Sequence, residues 1–272
     1  MTGLTRQARL ERLADQISSR DLAIVSDVVR LRYLSAGQIE RLHFTAIEQP
    51  LTRRRRTNRS LNRLREHGLL VRLERRVGGV KAGSSGFVFG PTGEAKALVA
   101  LRDGQGLTRP RTLHEPGQTF VDHGLACSEV YVHLREAEQT GKIELLEHHG
   151  EPAAWRQYPG SFGGLLSLRP DAFVALGVGE YEHRAFIEVD CGTEGSTALR
   201  RKLGTYVEYY RSGREQAEHS VFPQVIWLCS DQRRVAVLQA LVAELPGDVQ
   251  PLFLVGLQTE LLYLVRGDGR SA

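Results

Sequence analysis

Three carboxylates sit in or beside two apolar runs in RPDAFVALGVGEYEHRAFIEVD, residues 169–190: Asp171, Glu188 and Asp190. A charge inside a core-like strand is costly unless it is paired or holds a metal. Residues two apart in a strand face the same side, so Glu188 and Asp190 should project together. Asp171 follows Pro170 at the start of the first run, which sets it beside them if the two runs pair. Lys202 lies one helical turn from both Leu199 and Tyr206 in GSTALRRKLGTYVEYYRSG, on the apolar face of that helix. Carboxylates crowded around one point repel unless a cation is present, and oxygen ligands favour Mg2+ or Mn2+. Such a centre can polarise a phosphate, with Lys202 orienting water or stabilising the charge that develops on the phosphate oxygens. The chemistry this set suits is phosphodiester hydrolysis.

Other reactive side chains are less well placed. Cys191 follows the acidic run with no histidine placed by the sequence to activate it. His148 and His149 adjoin a glycine and read as loop residues, and His123 reads as a helix-terminal or core residue. Tyr206, Tyr209 and Tyr210 recur at helical spacing and read as core; the HxH histidine cluster that a tyrosine relaxase needs is missing.

A second chemistry lies upstream. Residues 52–76 hold ten arginines against two acids. In TRRRRTNRSLNRLREHGLLVRL the apolar positions Leu61 and Leu64 lie three apart and a glycine follows, which is the pattern of a helix with a basic outer surface. Arg53, Arg54, Arg55 and Arg56 are expected to anchor phosphates, and Asn58, Arg59, Asn62 and Arg63 to face the groove of double-stranded DNA.

The elements that position these groups follow from periodicity. RDLAIVSDVVRLRYLSAGQIERLHF reads as two short amphipathic helices, with Ser35 able to cap the second. The basic helix comes next. LLVRLERRVGG and SGFVFGPTG then alternate around a Gly/Ser-rich loop, as a hairpin does. Helix, helix, basic helix, hairpin is the order of a winged helix-turn-helix, with the hairpin as the wing. Beyond it the order is α-β-β-β-α-β-α-β: a helix over VDHGLACSEVYVHLREAEQTG, a strand at KIELLEHHG, LRPDAFVAL and RAFIEVD paired across a turn at GVGEYEH, the helix bearing Lys202, the strand PQVIWLCS, the helix RRVAVLQALVAEL and the strand PLFLVGL. The expected fold is therefore α/β, or α+β taken overall, with a mixed sheet and helices on both faces. Two domains are expected, a DNA-binding domain over 1–95 and a mixed-sheet domain over 119–272, joined by a linker over 96–118 where Gly and Pro collect.

RPD, IEVD and a following GT with a helix containing KLGTYVEYY resemble the PD-(D/E)XK nuclease fold. Over residues 20–260, winged helix included, the chain resembles the replication-relaxation family of bacterial plasmids and mobile elements. That resemblance implies a role in initiating plasmid replication and relaxing plasmid DNA, with Asp171, Glu188 and Lys202 in catalytic positions. It further implies an additional acid from the first helix of the nuclease fold, here Glu129. The residue two after Glu188 is Asp190 where the E-x-K motif has lysine, and Lys202 on the next helix can reach a similar point. The function expected is metal-dependent nicking of DNA targeted by the winged helix. The alternative is a non-catalytic replication initiator or regulator whose nuclease-like domain serves dimerisation or partner contacts.

Bulk properties agree with both. The 272 residues are 41 % apolar and 25 % charged, as in a globular protein. Residues 1–120 carry 22 Lys/Arg and 11 Asp/Glu, a balance of +11; residues 121–272 carry 14 and 21, a balance of −7. Such asymmetry assigns the polyanion to the first half. No run is long enough to span a bilayer, and the charged N-terminus lacks a signal-peptide core. Three cysteines without a CxxC pair exclude a disulfide framework. A cytoplasmic protein is expected, free of membranes, with a homodimer suited to paired half-sites.

Overall fold

The computed structural model describes residues 3–76, 86–106, 117–160 and 163–266. The Gly/Ser-rich loop of the expected hairpin (77–85) and the middle of the expected linker (107–116) lie outside the described residues. The chain divides into two compact units, Met1–Val132 and His133–Ala272. It is a mixed α/β protein.

The first unit runs α1 (Gly3–Gln16), α2 (Ser19–Leu31), β1 (Leu34–Ser35), α3 (Ala36–His43), α4 (Pro50–Glu66), β2 (Leu70–Arg76), β3 (Phe87–Pro91) and α5 (Gly93–Arg102), and ends within α6 (Gln118–Gln139). Its helices start where the sequence supplies caps. Ser18 accepts from the Asp21 amide at the start of α2, and Ser35 and Gln38 form a reciprocal capping box on α3. Helix α4 begins with Pro50 but has no side-chain cap, since Gln49 makes no cap hydrogen bond. It ends at Gly68, whose φ of 69° suits a residue without a side chain. The strands form an antiparallel sheet in the order β1-β3-β2, with Leu34 opposite Phe89 and Val71 opposite Gly90. Ile24, Val25, Val28, Leu34, Ile39, Leu61, Leu64 and Phe89 close one core beneath the helices. Helix α1 was not among the expected elements, because its arginines and acids mask a narrow apolar stripe that buries Leu10.

The second unit contains β4 (Glu144–Gly150), β5 (Arg156–Pro159), β6 (Leu165–Leu168), β7 (Ala172–Val178), β8 (Tyr181–Asp190), α7 (Ser196–Arg211), α8 (Arg214–His219), β9 (Gln224–Cys229), α9 (Gln232–Ala243), β10 (Phe253–Leu257) and α10 (Leu261–Arg266). Five strands make one sheet in the order β10-β9-β8-β7-β4. β8, β9 and β10 run parallel, while β7 is antiparallel to both β8 and β4. β5 and β6 pair separately. The β7–β8 turn is tighter than GVGEYEH suggested. The strands continue to Val178 and from Tyr181, because Gly179 adopts a φ of 60° and lets a two-residue turn keep them paired.

Helices cover both faces of the sheet. Phe173, Phe186, Val225, Trp227 and Phe253 face α7 and α9, packing with Leu199, Leu203, Tyr206, Val235 and Leu238. On the opposite face α10 comes so close to β10 that a side chain on Gly256 would collide with Leu264. By strand alternation Phe186, Glu188 and Asp190 share the α7/α9 face, so the acids emerge from beneath the main core.

Candidate functional site

The β7–β8 pairing sets Ala172 opposite Ile187, which brings Asp171 alongside Glu188. One Asp171 carboxylate oxygen accepts from the Val189 amide at 2.8 Å, fixing the side chain against the neighbouring strand. Glu188, 2 % exposed, meets α7. Lys202 Nζ lies 2.5 Å from its Oε2, and the Tyr206 hydroxyl donates to Oε1 at 2.5 Å. Lys202 and Tyr206 are four apart on α7, so one helical face supplies both donors. Lys202 is partly exposed and Tyr206 is fully enclosed.

Burial pushes the Glu188 carboxyl up to about 8, against the pull of Lys202, and the nearby Asp171 adds to the rise. Burial works against the Lys202 ammonium, yet the Glu188 and Asp171 carboxylates raise it overall. Those two directions compete, since Lys202 gains only from an ionised Glu188. With a cation and a hydroxyl both aimed at the carboxylate, the ion pair is the state that this geometry favours. Burial, then the Glu188 carboxylate, keeps the Tyr206 hydroxyl protonated and donating.

Asp190 is held differently. Both Arg234 Nε and NH2 contact its carboxylate, the latter at 3.1 Å, and the Gly192 amide donates to Oδ1 at 2.9 Å. The three acids therefore split: Asp171 and Glu188 gather with Lys202, while Asp190 is neutralised by an arginine of α9. Glu129, the fourth acid, lies in the first unit, where Gln38 donates to it at 2.8 Å and Arg41 pairs with it. As hard oxygen donors for a cation, Asp171 and Glu188 are the two that stand together.

Helix α4 buries Thr57, Ser60, Leu61 and Leu64 and turns the opposite side outward. Arg54, Arg55, Arg56, Arg59 and Asn62 are exposed and Asn58 is half-buried. Arg53 folds back and donates to the Ile47 and Glu48 carbonyls, which draws its guanidinium toward the chain before α4. Arg63 clamps the fully buried Asp21 of α2, with Nε at 2.9 Å and NH2 at 2.5 Å. A buried aspartate needs such a partner, so the Arg63 guanidinium is spent on holding α4 to α2. The basic outer face is thus Arg54–Arg56, Arg59 and Asn62.

Sequence reasoning missed Tyr206, Arg234 and Asp21 as partners. Tyr206 was detectable, since it is four residues from Lys202 on the same face. Arg234 and Asp21 reach their partners across more than 40 positions, and no local spacing signals them.

The family model for replication-relaxation matches residues 26–225. The chain belongs to the replication-relaxation family. Membership points to a role in the replication or relaxation of plasmid or mobile-element DNA. The matched span takes in α4, Asp171, Glu188, Asp190 and Lys202, and stops short of Arg234. Comparison with curated proteins and with solved structures returns no match. Among the described residues no helix is long and apolar enough to cross a membrane.

Proposed function

We propose that this family member binds double-stranded DNA through a winged helix in its first unit and nicks it at a PD-(D/E)XK-type site in its second. The observation that carries the reading is the convergence of Asp171, Glu188 and Lys202 from two paired strands and the following helix. A carboxylate pair with a lysine is what the resemblance led one to expect at a phosphodiesterase site, with the lysine supplied by α7 in place of the strand. For DNA binding, support comes from the order α2, β1, α3, α4, β2, β3 and from the arginines on the outer face of α4. A homodimer of such units would read paired half-sites.

The donor set suits a hard divalent cation held by two carboxylates. Glu188 is buried beside a second acid; burial first, and the Asp171 carboxylate after it, raise its pKa against the pull of Lys202. Asp171 and Glu188 would hold Mg2+ or Mn2+, which when bound would supply Lewis-acid polarisation of a phosphodiester oxygen. The chain's own residues do the positioning. The Val189 amide orients Asp171, Tyr206 orients Glu188, and Lys202 presents an ammonium at the rim where phosphate charge grows. Asp190 belongs to the framework that Arg234 ties together.

One observation favours a second reading, a DNA-binding initiator that does not cut: both Glu188 oxygens already face donors of the same chain. Supercoiled plasmid incubated with the protein and Mg2+, Mn2+ or EDTA separates the two. Nicking that needs metal, falls at least 100-fold in Glu188→Gln and Lys202→Met, and persists with Asn58→Ala at high protein concentration is expected. Plasmid that is shifted on a gel but intact with every metal would overturn the nuclease reading and leave the initiator.

A further inference from the structure

Arg169 stands two residues before Asp171 and is exposed. Its guanidinium carbon lies 4.7 Å from the centroid of the Trp155 ring, and Nε donates weakly to Ser167 Oγ at 3.4 Å. Trp155 is half-buried, with its Nε1 edge enclosed, so the indole forms a fixed shelf beneath the cation. Several other arginines of this unit meet carboxylates, Arg156 with Glu215, Arg184 with Glu147 and Glu182, Arg200 with Glu244, Arg234 with Asp190, whereas Arg169 is set on an aromatic ring. Among the described residues Arg169 has no carboxylate partner.

The difference has a chemical meaning. A carboxylate engages a guanidinium through its N–H edge, whereas an aromatic ring engages its face. Stacking therefore restrains Arg169 while leaving the NH1/NH2 fork open for two oxygens of one phosphate. We propose that Arg169, held on Trp155, takes a backbone phosphate of the nucleic acid next to the Asp171–Glu188–Lys202 cluster. The proposal rests on the reading that the second unit faces DNA, and it makes Arg169 a substrate-positioning contact that neither the sequence motifs nor the family match assigns. An arginine in this place sets which phosphate lies over the acids, because it is tied by only one intervening residue to Asp171.

The test uses the full chain and a 30-base-pair duplex, with dissociation constants measured from 50 to 300 mM salt and Trp155 emission followed on titration. The second tryptophan, Trp227, is buried in the core, and a Trp155→Phe variant assigns the signal. Arg169→Ala should lower the magnitude of the log K against log salt slope by about 0.9, the value of one phosphate contact. Arg169→Lys should restore the slope with weaker binding, since it keeps the charge and loses the fork. The parent's Trp155 emission should change on adding duplex. An Arg169→Ala slope equal to the parent's, or a Trp155 response to inorganic phosphate with none to duplex, would overturn the proposal. These are binding readouts and stand whether or not DNA is cut: a lowered slope with intact plasmid would remove the nuclease reading and keep the contact.

Discussion

At the scale of the residue, the second unit solves one problem twice. Glu188 and Asp190 are two buried acids on one strand face, and each is matched by a cation from a different helix, Lys202 of α7 and Arg234 of α9. The matches differ in kind. Arg234 grips Asp190 through two nitrogens and also reaches the Glu194 carbonyl at 2.6 Å, so that site is closed on itself. Glu188 is left with a raised pKa and an acid neighbour. A cation held by Glu188 must compete with Lys202 for the same carboxylate oxygen. Mn2+ binding followed by calorimetry should weaken at least tenfold in Glu188→Gln, and an affinity equal to the parent's would mean that Glu188 is not a ligand.

At the scale of the element, α3 and α4 are carried by ion pairs as much as by apolar contact. His43, at the end of α3, lies 3.0 Å from Asp27 of α2, and Arg30 lies 2.8 Å from the same carboxylate. Burial would raise the Asp27 pKa, but the His43 and Arg30 contacts outweigh it and hold the carboxyl below its ordinary 3.8. A depressed folded-state pKa gives stability that is present above the unfolded value and lost as pH falls through the folded one. Asp27→Asn should therefore cost about 1 kcal/mol in denaturant unfolding at pH 7, and the cost should shrink progressively as pH falls below 3.8. A cost that did not shrink with acid would assign the loss to packing. Elements of this kind were legible where a local pattern declared them: the capped helices α2 and α3, the strands β7 to β10, the Lys202 face of α7. The β5–β6 pair was not among the expected elements, because four-residue strands carry too little alternation to register.

At the scale of the whole molecule, the chain divides between Val132 and His133, beyond the expected linker, and each unit has its own core. Half of the candidate site was written in order: Asp171, Glu188 and Lys202 lie within one β-turn-β-α segment, so register alone brings them together. The assignments of Asp190 and Arg63 were not legible. Both acquire partners across long sequence separations, and charge at a position says nothing about whether the fold has already used it.

Helix α4 carries four consecutive arginines, Arg53–Arg56, close behind its uncapped positive end, and repeats the charge at Arg59. One helix should therefore give the protein two opposite responses to salt. Free protein should melt about 3 °C higher in 500 mM than in 50 mM NaCl, as screening relieves repulsion along α4. The complex with a duplex should weaken steeply over the same range, as released counterions lose their entropic advantage. Arg55→Ala with Arg59→Ala should reduce both responses together, read by scanning fluorimetry and by titration, and a variant that lost only one would separate the helix from the DNA. On the proposed reading a polyanion neutralises the outer face of α4, and the segment should gain protection from hydrogen exchange when duplex is added.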